Sequence, residues 1–317
     1  MEASEARERL AALLDNMELV IKGKRPQVEL AVTALLSGGQ LLIEDVPGVG
    51  KTMLARTLAR SIDGSFKRVQ FTPDLLPSDI TGVNIYDQAS GSFRFHPGPV
   101  FANVILADEV NRATPRTQAS LLEAMDEGQV TVDGETHPLP RPFFVIATQN
   151  PVEYHGTYPL PEGQLDRFCL NVTLDYPGQE DEVEVVESQL KRHPIEELRP
   201  VLSTAEVTEM QELARGIRVD RSLIEYALRI VEATRSCGEF LLGASPRGSI
   251  FLLRTAQARA LLQGRGYVVP DDIKRLAVAV LAHRVILKSR RQDLALSREA
   301  VERLLGEVAV PVGVEGR

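Results

Sequence analysis

One stretch, residues 41–60, narrows the fold more than any other. Leu41-Leu42-Ile43-Glu44 reads as a short apolar strand and Met53 to Arg60 as a helix. Between them lies Asp45-Val46-Pro47-Gly48-Val49-Gly50-Lys51-Thr52. Strand, glycine-bearing loop and helix, in that order, are the setting a phosphate-binding loop needs. Such a loop wraps backbone N–H groups around phosphate oxygens, and the helix start adds partial positive charge. The stretch expected to touch the ligand is Val46, Pro47, Gly48, Val49, Gly50, Lys51, Thr52 and Met53. Lys51 is expected to reach the outer phosphates and the Thr52 hydroxyl to bind a divalent cation. Pro47 has no N–H to give, so its contribution is stiffness. Asp45 stands where the general pattern G-x-x-x-x-G-K-T has its first glycine. Its carboxylate is expected to point away from the phosphates and to cap a local N–H.

Four later segments supply what a phosphate cradle lacks. Val104-Ile105-Leu106-Ala107 is apolar throughout, as a strand covered on both faces would be, and it runs into Asp108-Glu109. Ligands of parallel sheets sit beyond the carboxyl ends of the strands. Asp108 is therefore placed to hold Mg²⁺, and Glu109 to act as general base on a water. A second apolar run, Phe143 to Ala147, leads to Asn150-Pro151, whose neutral amide can orient water without adding charge. Arg167, in Leu165-Asp166-Arg167-Phe168, could complete a neighbouring subunit's site, and is otherwise a surface ion-pair partner. Arg247, in Ser245-Pro246-Arg247-Gly248 at the start of a predicted helix, could touch the terminal phosphate and link hydrolysis to movement of the second domain.

The first half alternates strand and helix patterns, with further strands at Arg68–Phe71 and Cys169–Leu174. From about Gly178 the pattern is nearly all helical. This predicts an α/β core with a parallel sheet flanked by helices over residues 1–177, and a smaller all-helical lid over 178–317. Pro177-Gly178 marks the boundary. Thr114, Pro115 and Gly128 read as cap, first turn and stop of one helix. Ile224, Ala227, Leu228 and Val231 mark one apolar stripe; Ile273, Leu276, Ala277, Val280 and Leu281 mark another. Two hairpins are expected, one over 82–95 and one over 129–138 around Asp133-Gly134. Both read equally well as plain surface hairpins or as contact points for a partner.

These elements, in this order, resemble those of the AAA+ ATPases. Lys51 and Thr52 match Walker A, Asp108 and Glu109 Walker B, Asn150 sensor 1, Arg247 sensor 2 and Arg167 the arginine finger. Ile21 and Gly23 resemble the segment that packs on adenine. Several stretches are similar to the MoxR family in particular: Leu42 to Gly48, Gln70 to Asp79, Ala107 to Ala113, Ala147 to Pro151, and Pro159 to Phe168. Within that family Asp45 is an acceptable variant. The resemblance implies ATP and Mg²⁺ as ligands and a homo-oligomeric ring, usually a hexamer, with the site between subunits. It also implies chaperone-like remodelling or maturation of client proteins, often beside a partner with a von Willebrand factor A domain, and it tilts the hairpins towards pore or partner contact. Arg112 and Arg116 read as subunit bridges or as surface ion pairs.

Composition limits the alternatives. The formal net charge is −8, and the strongest basic clusters, Lys22-Lys24-Arg25 and Lys288-Arg290-Arg291, are short. A DNA-associated AAA+ motor or clamp-loader relative shares the motifs but would usually carry a basic stripe, so nucleic acid is not the expected partner. A third reading, a module using ATP only as a switch, conflicts with the presence of Glu109. No apolar run reaches the roughly 18 residues of a membrane span, and Met1–Leu10 has no apolar core of a signal peptide. Two distant cysteines, Cys169 and Cys237, suit a reducing cytoplasm better than a disulfide. The histidines show no metal-ligand spacing.

Overall fold

The computed structural model describes residues 3–150, 157–191, 193–289 and 293–311. Pro151, His155 and the Arg290-Arg291 pair lie outside the described residues. The chain opens with helices α1 (Ala3–Glu18) and α2 (Arg25–Leu36), then β1 (Leu41–Glu44) and α3 (Lys51–Ser61). Next come β2 (Phe66–Gln70), α4 (Pro77–Thr81), and a hairpin of β3 (Gly82–Asp87) and β4 (Ser92–Pro97). β5 (Val104–Asp108) and α5 (Pro115–Glu127) follow. A second hairpin, β6 (Gln129–Val132) and β7 (Glu135–Pro138), leads to β8 (Phe144–Gln149), α6 (Glu162–Leu165) and β9 (Leu170–Val172).

Five of these strands form one sheet in the order β2-β5-β8-β1-β9, every pairing parallel. Side chains alternate across it. Leu41, Ile43, Val104, Leu106 and Ile146 enter a core shared with α1, α2 and α3. Leu42, Ile105, Ala107, Val145 and Ala147 enter the opposite core, with α5. Burial on both faces explains why the strands read as unbroken apolar runs. β1 lies where the chain's path reverses: α3 carries it to the β2 edge, and it returns through β5 and β8 to finish beyond β1. Clefts form at such switch points, beyond the carboxyl ends of the strands.

The second half contains α7 (Gln179–Lys191), α8 (Pro194–Glu197), α9 (Thr204–Gly216), α10 (Arg221–Ser236) and β10 (Phe240–Leu242). It continues with α11 (Pro246–Leu262), α12 (Pro270–Leu281), β11 (Ile286–Leu287) and α13 (Leu294–Glu307). The lid is therefore not wholly helical, since β10 and β11 pair antiparallel. Two and three residues are too few to show a period-two pattern.

Most expected elements are present within one or two residues of their predicted ends. Thr114 caps α5 by accepting from the Thr117 N–H, and Gly128 ends it in the left-handed region at φ 64°. Half of the α10 stripe is buried as expected, Ala227 and Val231, and half is not. Ile224 and Leu228 are exposed, while Leu223, Tyr226, Ala227, Ile230 and Val231 are buried. Both stripes have helical spacing, and the large Tyr226 decides which one faces inward. The α12 stripe is buried throughout. α1 and α2 pack on α11 as well as on the core, so Leu10, Leu13 and Met17 share one apolar cluster with Leu252 and Ala256.

Candidate nucleotide site

The loop after β1 makes its turns at Gly48 and Gly50, with φ of 88° and 96°, a region costly for residues with a Cβ. A Cβ built on either would meet nothing within 4 Å, so the inner face of the loop is open. Lys51 begins α3, and its Nζ donates to the Asp45 carbonyl at 2.6 Å. Burial lowers the Lys51 amine from its ordinary value, while the charges of Asp45, Asp108 and Glu109 act to raise it. Lys51, Thr52 and Met53 line a cavity of about 360 Å³ together with Pro47, Gly48 and Gly50. Asp108, Glu109 and Asn150 line the same cavity.

The acidic pair is held by side chains the motif reading did not single out. Thr148 on β8 donates to Asp108 Oδ1 at 2.7 Å and accepts from the Glu109 N–H at 2.8 Å. Arg68 on β2 donates to Asp108 Oδ2 through Nε at 3.0 Å and Nη2 at 2.6 Å. Gln70 Nε2 donates to Glu109 Oε2 at 2.6 Å. Arg112 pairs with the same oxygen at 3.2 Å, so this arginine is engaged within its own chain. Glu109 itself sits at φ 57°, ψ 50°, an uncommon conformation for a side-chain-bearing residue and one that recurs at functional sites. The signal for Arg68 and Gln70 is their alternation along an edge strand in register with β5, Gln70 opposite Asp108.

Asp45 turns away from the cavity. Its Oδ1 accepts from the Val46 N–H at 2.8 Å, as expected of a local cap. Its Oδ2 accepts from the N–H groups of Leu174 and Asp175 at 2.7 and 2.8 Å, links that sequence spacing could not reveal.

The two arginines do not join Lys51. Arg167 Nη1 pairs with Asp126 Oδ2 at 3.0 Å and donates to the Leu122 carbonyl at 2.8 Å. Arg247 Nη2 reaches the same Asp126 oxygen at 3.3 Å. With a helical rise of about 1.5 Å per residue, Asp126 stands roughly 16 Å along α5 from Pro115. Arg167 and Arg247 thus share one carboxylate partner, and neither lines the cavity around Lys51. Ile21 is buried and Gly23 lies at φ 65°, where a side chain would collide with the Asp181 carboxylate. Lys24 Nζ donates to the Tyr176 carbonyl at 2.7 Å. The Ile21–Gly23 segment therefore packs against the start of α7, outside the cavity around Lys51.

The profile of the ATPase family associated with various cellular activities (AAA) matches residues 40–170, and that of the AAA lid domain matches 232–304. The Chaperone MoxR1 of Mycobacterium tuberculosis is 42% identical over 92% of this chain and 80% of its own. The chain belongs to the MoxR family of AAA+ ATPases. Another relative, protein YeaC of Bacillus subtilis, is 51% identical over 96% of this chain and 95% of its own. A solved structure from Cytophaga hutchinsonii superposes with a TM-score of 0.89 at 39% identity, covering 98% of this chain and 97% of that one. No helix among the described residues is long and apolar enough to cross a membrane.

Proposed function

We propose that this MoxR ATPase hydrolyses ATP between neighbouring copies in a ring of six, and uses the resulting movement to remodel or mature client proteins. The observation that carries the reading is convergence: an amine, a hydroxyl, two carboxylates and an amide line one open-faced loop. The donor set fits a triphosphate with a divalent ion. The backbone N–H groups of Gly48, Val49, Gly50 and Lys51 and the Lys51 ammonium oppose phosphate charge. Thr52 and Asp108 are the oxygen ligands suited to Mg²⁺, which when bound neutralises charge on the outer phosphates. Glu109 takes the proton from the attacking water, which requires its carboxylate to leave Gln70. Asn150 orients that water.

Arg167 and Arg247 serve the next subunit in this reading. Their shared partner Asp126 keeps them together, away from their own Lys51. The chaperone role is carried over from the name of the Mycobacterium tuberculosis relative. A partner with a von Willebrand factor A domain is the family's expectation for this chain, and the paired hairpins are the segments offered to partner or client. The two hairpins touch: Phe95 stacks on His137 at 3.9 Å and Asn84 donates to Asp133 at 2.9 Å.

Lys51→Ala is expected to lower affinity for a fluorescent ATP analogue by at least about tenfold and to abolish phosphate release. Binding and turnover equal to the parent protein would remove this reading.

A further inference from the structure

Asp45 occupies a place where the general phosphate loop has glycine, and all four of its polar groups are engaged in different directions. Its carbonyl accepts from Lys51 Nζ. Its N–H donates to the Gln149 carbonyl on the strand that leads to Asn150, at 3.3 Å. Carboxylate Oδ1 holds the next loop residue, Val46. Carboxylate Oδ2 holds the consecutive N–H groups of Leu174 and Asp175. A glycine could make only the first two of these links. The side chain is 6% exposed, so little water competes for its bonds.

The segment it grips is the connection between sheet and lid. Leu174 and Asp175 follow β9, Asp175 takes a left-handed φ of 57°, and α7 starts four residues later. A second tie runs beside the first. Asn171 Nδ2 on β9 donates to Glu44 Oε2, the residue just before Asp45, at 2.5 Å. Arg298 Nη2, on lid helix α13, donates to Asn171 Oδ1 at 2.9 Å. Glu44 and Asp45 are thus bonded to the hinge and, through one amide, to the lid.

We propose that Asp45 is a positioning residue that ties the phosphate loop to the hinge, so that nucleotide held by the loop sets the orientation of the lid. The proposal rests on the nucleotide reading above. It accounts for an acidic residue beside a phosphate site: three N–H dipoles face its carboxylate and oppose its charge, and its direction is away from the cavity.

The test uses the full-length protein with Asp45→Gly and Asp45→Asn. Amide hydrogen exchange is followed over residues 172–176 and α13, with and without Mg²⁺ and a non-hydrolysable ATP analogue, alongside kcat and KM. In the parent protein the analogue is expected to slow exchange over 172–176. In Asp45→Gly, exchange there rises about tenfold or more and no longer responds to the analogue. Its kcat falls about tenfold while KM changes less than about threefold, because the loop keeps its phosphate donors. If the glycine variant does not fold, Asp45→Asn carries the test. One amide oxygen can hold the hinge or Val46 but not both, so the response to the analogue falls by about half or more. A parent-like response and a parent-like kcat in the folded variants would overturn the proposal. Failure of the parent protein to bind the analogue would instead strike the nucleotide reading beneath it.

Discussion

Under the proposed reading, Glu109 has to change partners before it can act on a water. Its carboxylate is bound to Gln70 and Arg112, and a general base must exchange at least one of these for water. Glu109→Gln keeps the size and much of the hydrogen bonding but removes the basic lone pair. It is expected to lower kcat by about 10²- to 10⁴-fold with little change in nucleotide affinity. A single-turnover assay beside a binding titration checks both, and an unchanged rate would move the base elsewhere. At this scale the sequence was informative about which residues of the candidate site local context brings together. Lys51 and Thr52 open the helix after one apolar strand, and Asp108 and Glu109 follow another, so the apolar runs mark out where the four residues of this cavity lie. Arg68, Gln70, Thr148 and Asp126 were not legible, because their importance comes from strand register and from the end of a helix meeting two distant arginines.

Elements tell a similar story about phase and burial. Hairpin β6–β7 follows its Asp133-Gly134 turn, with Asp133 and Gly134 both at positive φ, and α5 follows its caps. In α10 two apolar stripes of equal spacing compete, and the burial of Tyr226 selects one. That choice leaves a mark that can be tested. The Tyr226 hydroxyl is buried with no hydrogen-bond partner, so its desolvation is uncompensated. Tyr226→Phe keeps the ring in place and is expected to raise stability by about 1 kcal/mol. Thermal unfolding reads this directly, and a clear loss of stability would mean that the hydroxyl is bonded in solution. The small β10–β11 ribbon could not be anticipated, since its strands are shorter than any pattern they would have to display.

For the molecule as a whole, sheet and lid are joined by buried groups with consequences for pH. His283, beyond α12, contacts the Phe168 carbonyl through Nε2 at 3.1 Å, while Arg284 pairs with Asp166 at 3.0 Å. Burial, aided by the charge of Arg284, holds the His283 ring well below the ordinary value of 6.5. The folded protein keeps the ring neutral, whereas the unfolded chain takes up a proton as pH falls through 6.5. This contribution to stability is therefore complete above that pH and lost progressively below it. His283→Gln is expected to flatten the acid limb of a plot of Tm against pH, and an identical limb in parent and variant would count against it. An α/β core followed by a mainly helical lid was legible from the change of pattern along the chain. The packing of α1 and α2 on lid helix α11 was not, because apolar stripes show which face is buried but not against what.

In the proposed ring each active site is assembled from two copies of the chain, loop and carboxylates from one and Arg167 with Arg247 from the next. Mixing resolves it. Lys51→Ala, with intact arginines, and Arg167→Ala, with an intact loop, are prepared separately, and phosphate release is measured for each and for the mixture. Each alone is expected to be nearly inactive, an arginine of this kind being worth about 10³- to 10⁵-fold in rate. The mixture is expected to regain activity well above the sum of its parts, because some interfaces then pair an intact loop with an intact arginine. A mixture no more active than that sum, under conditions where the copies exchange, would contradict a shared site.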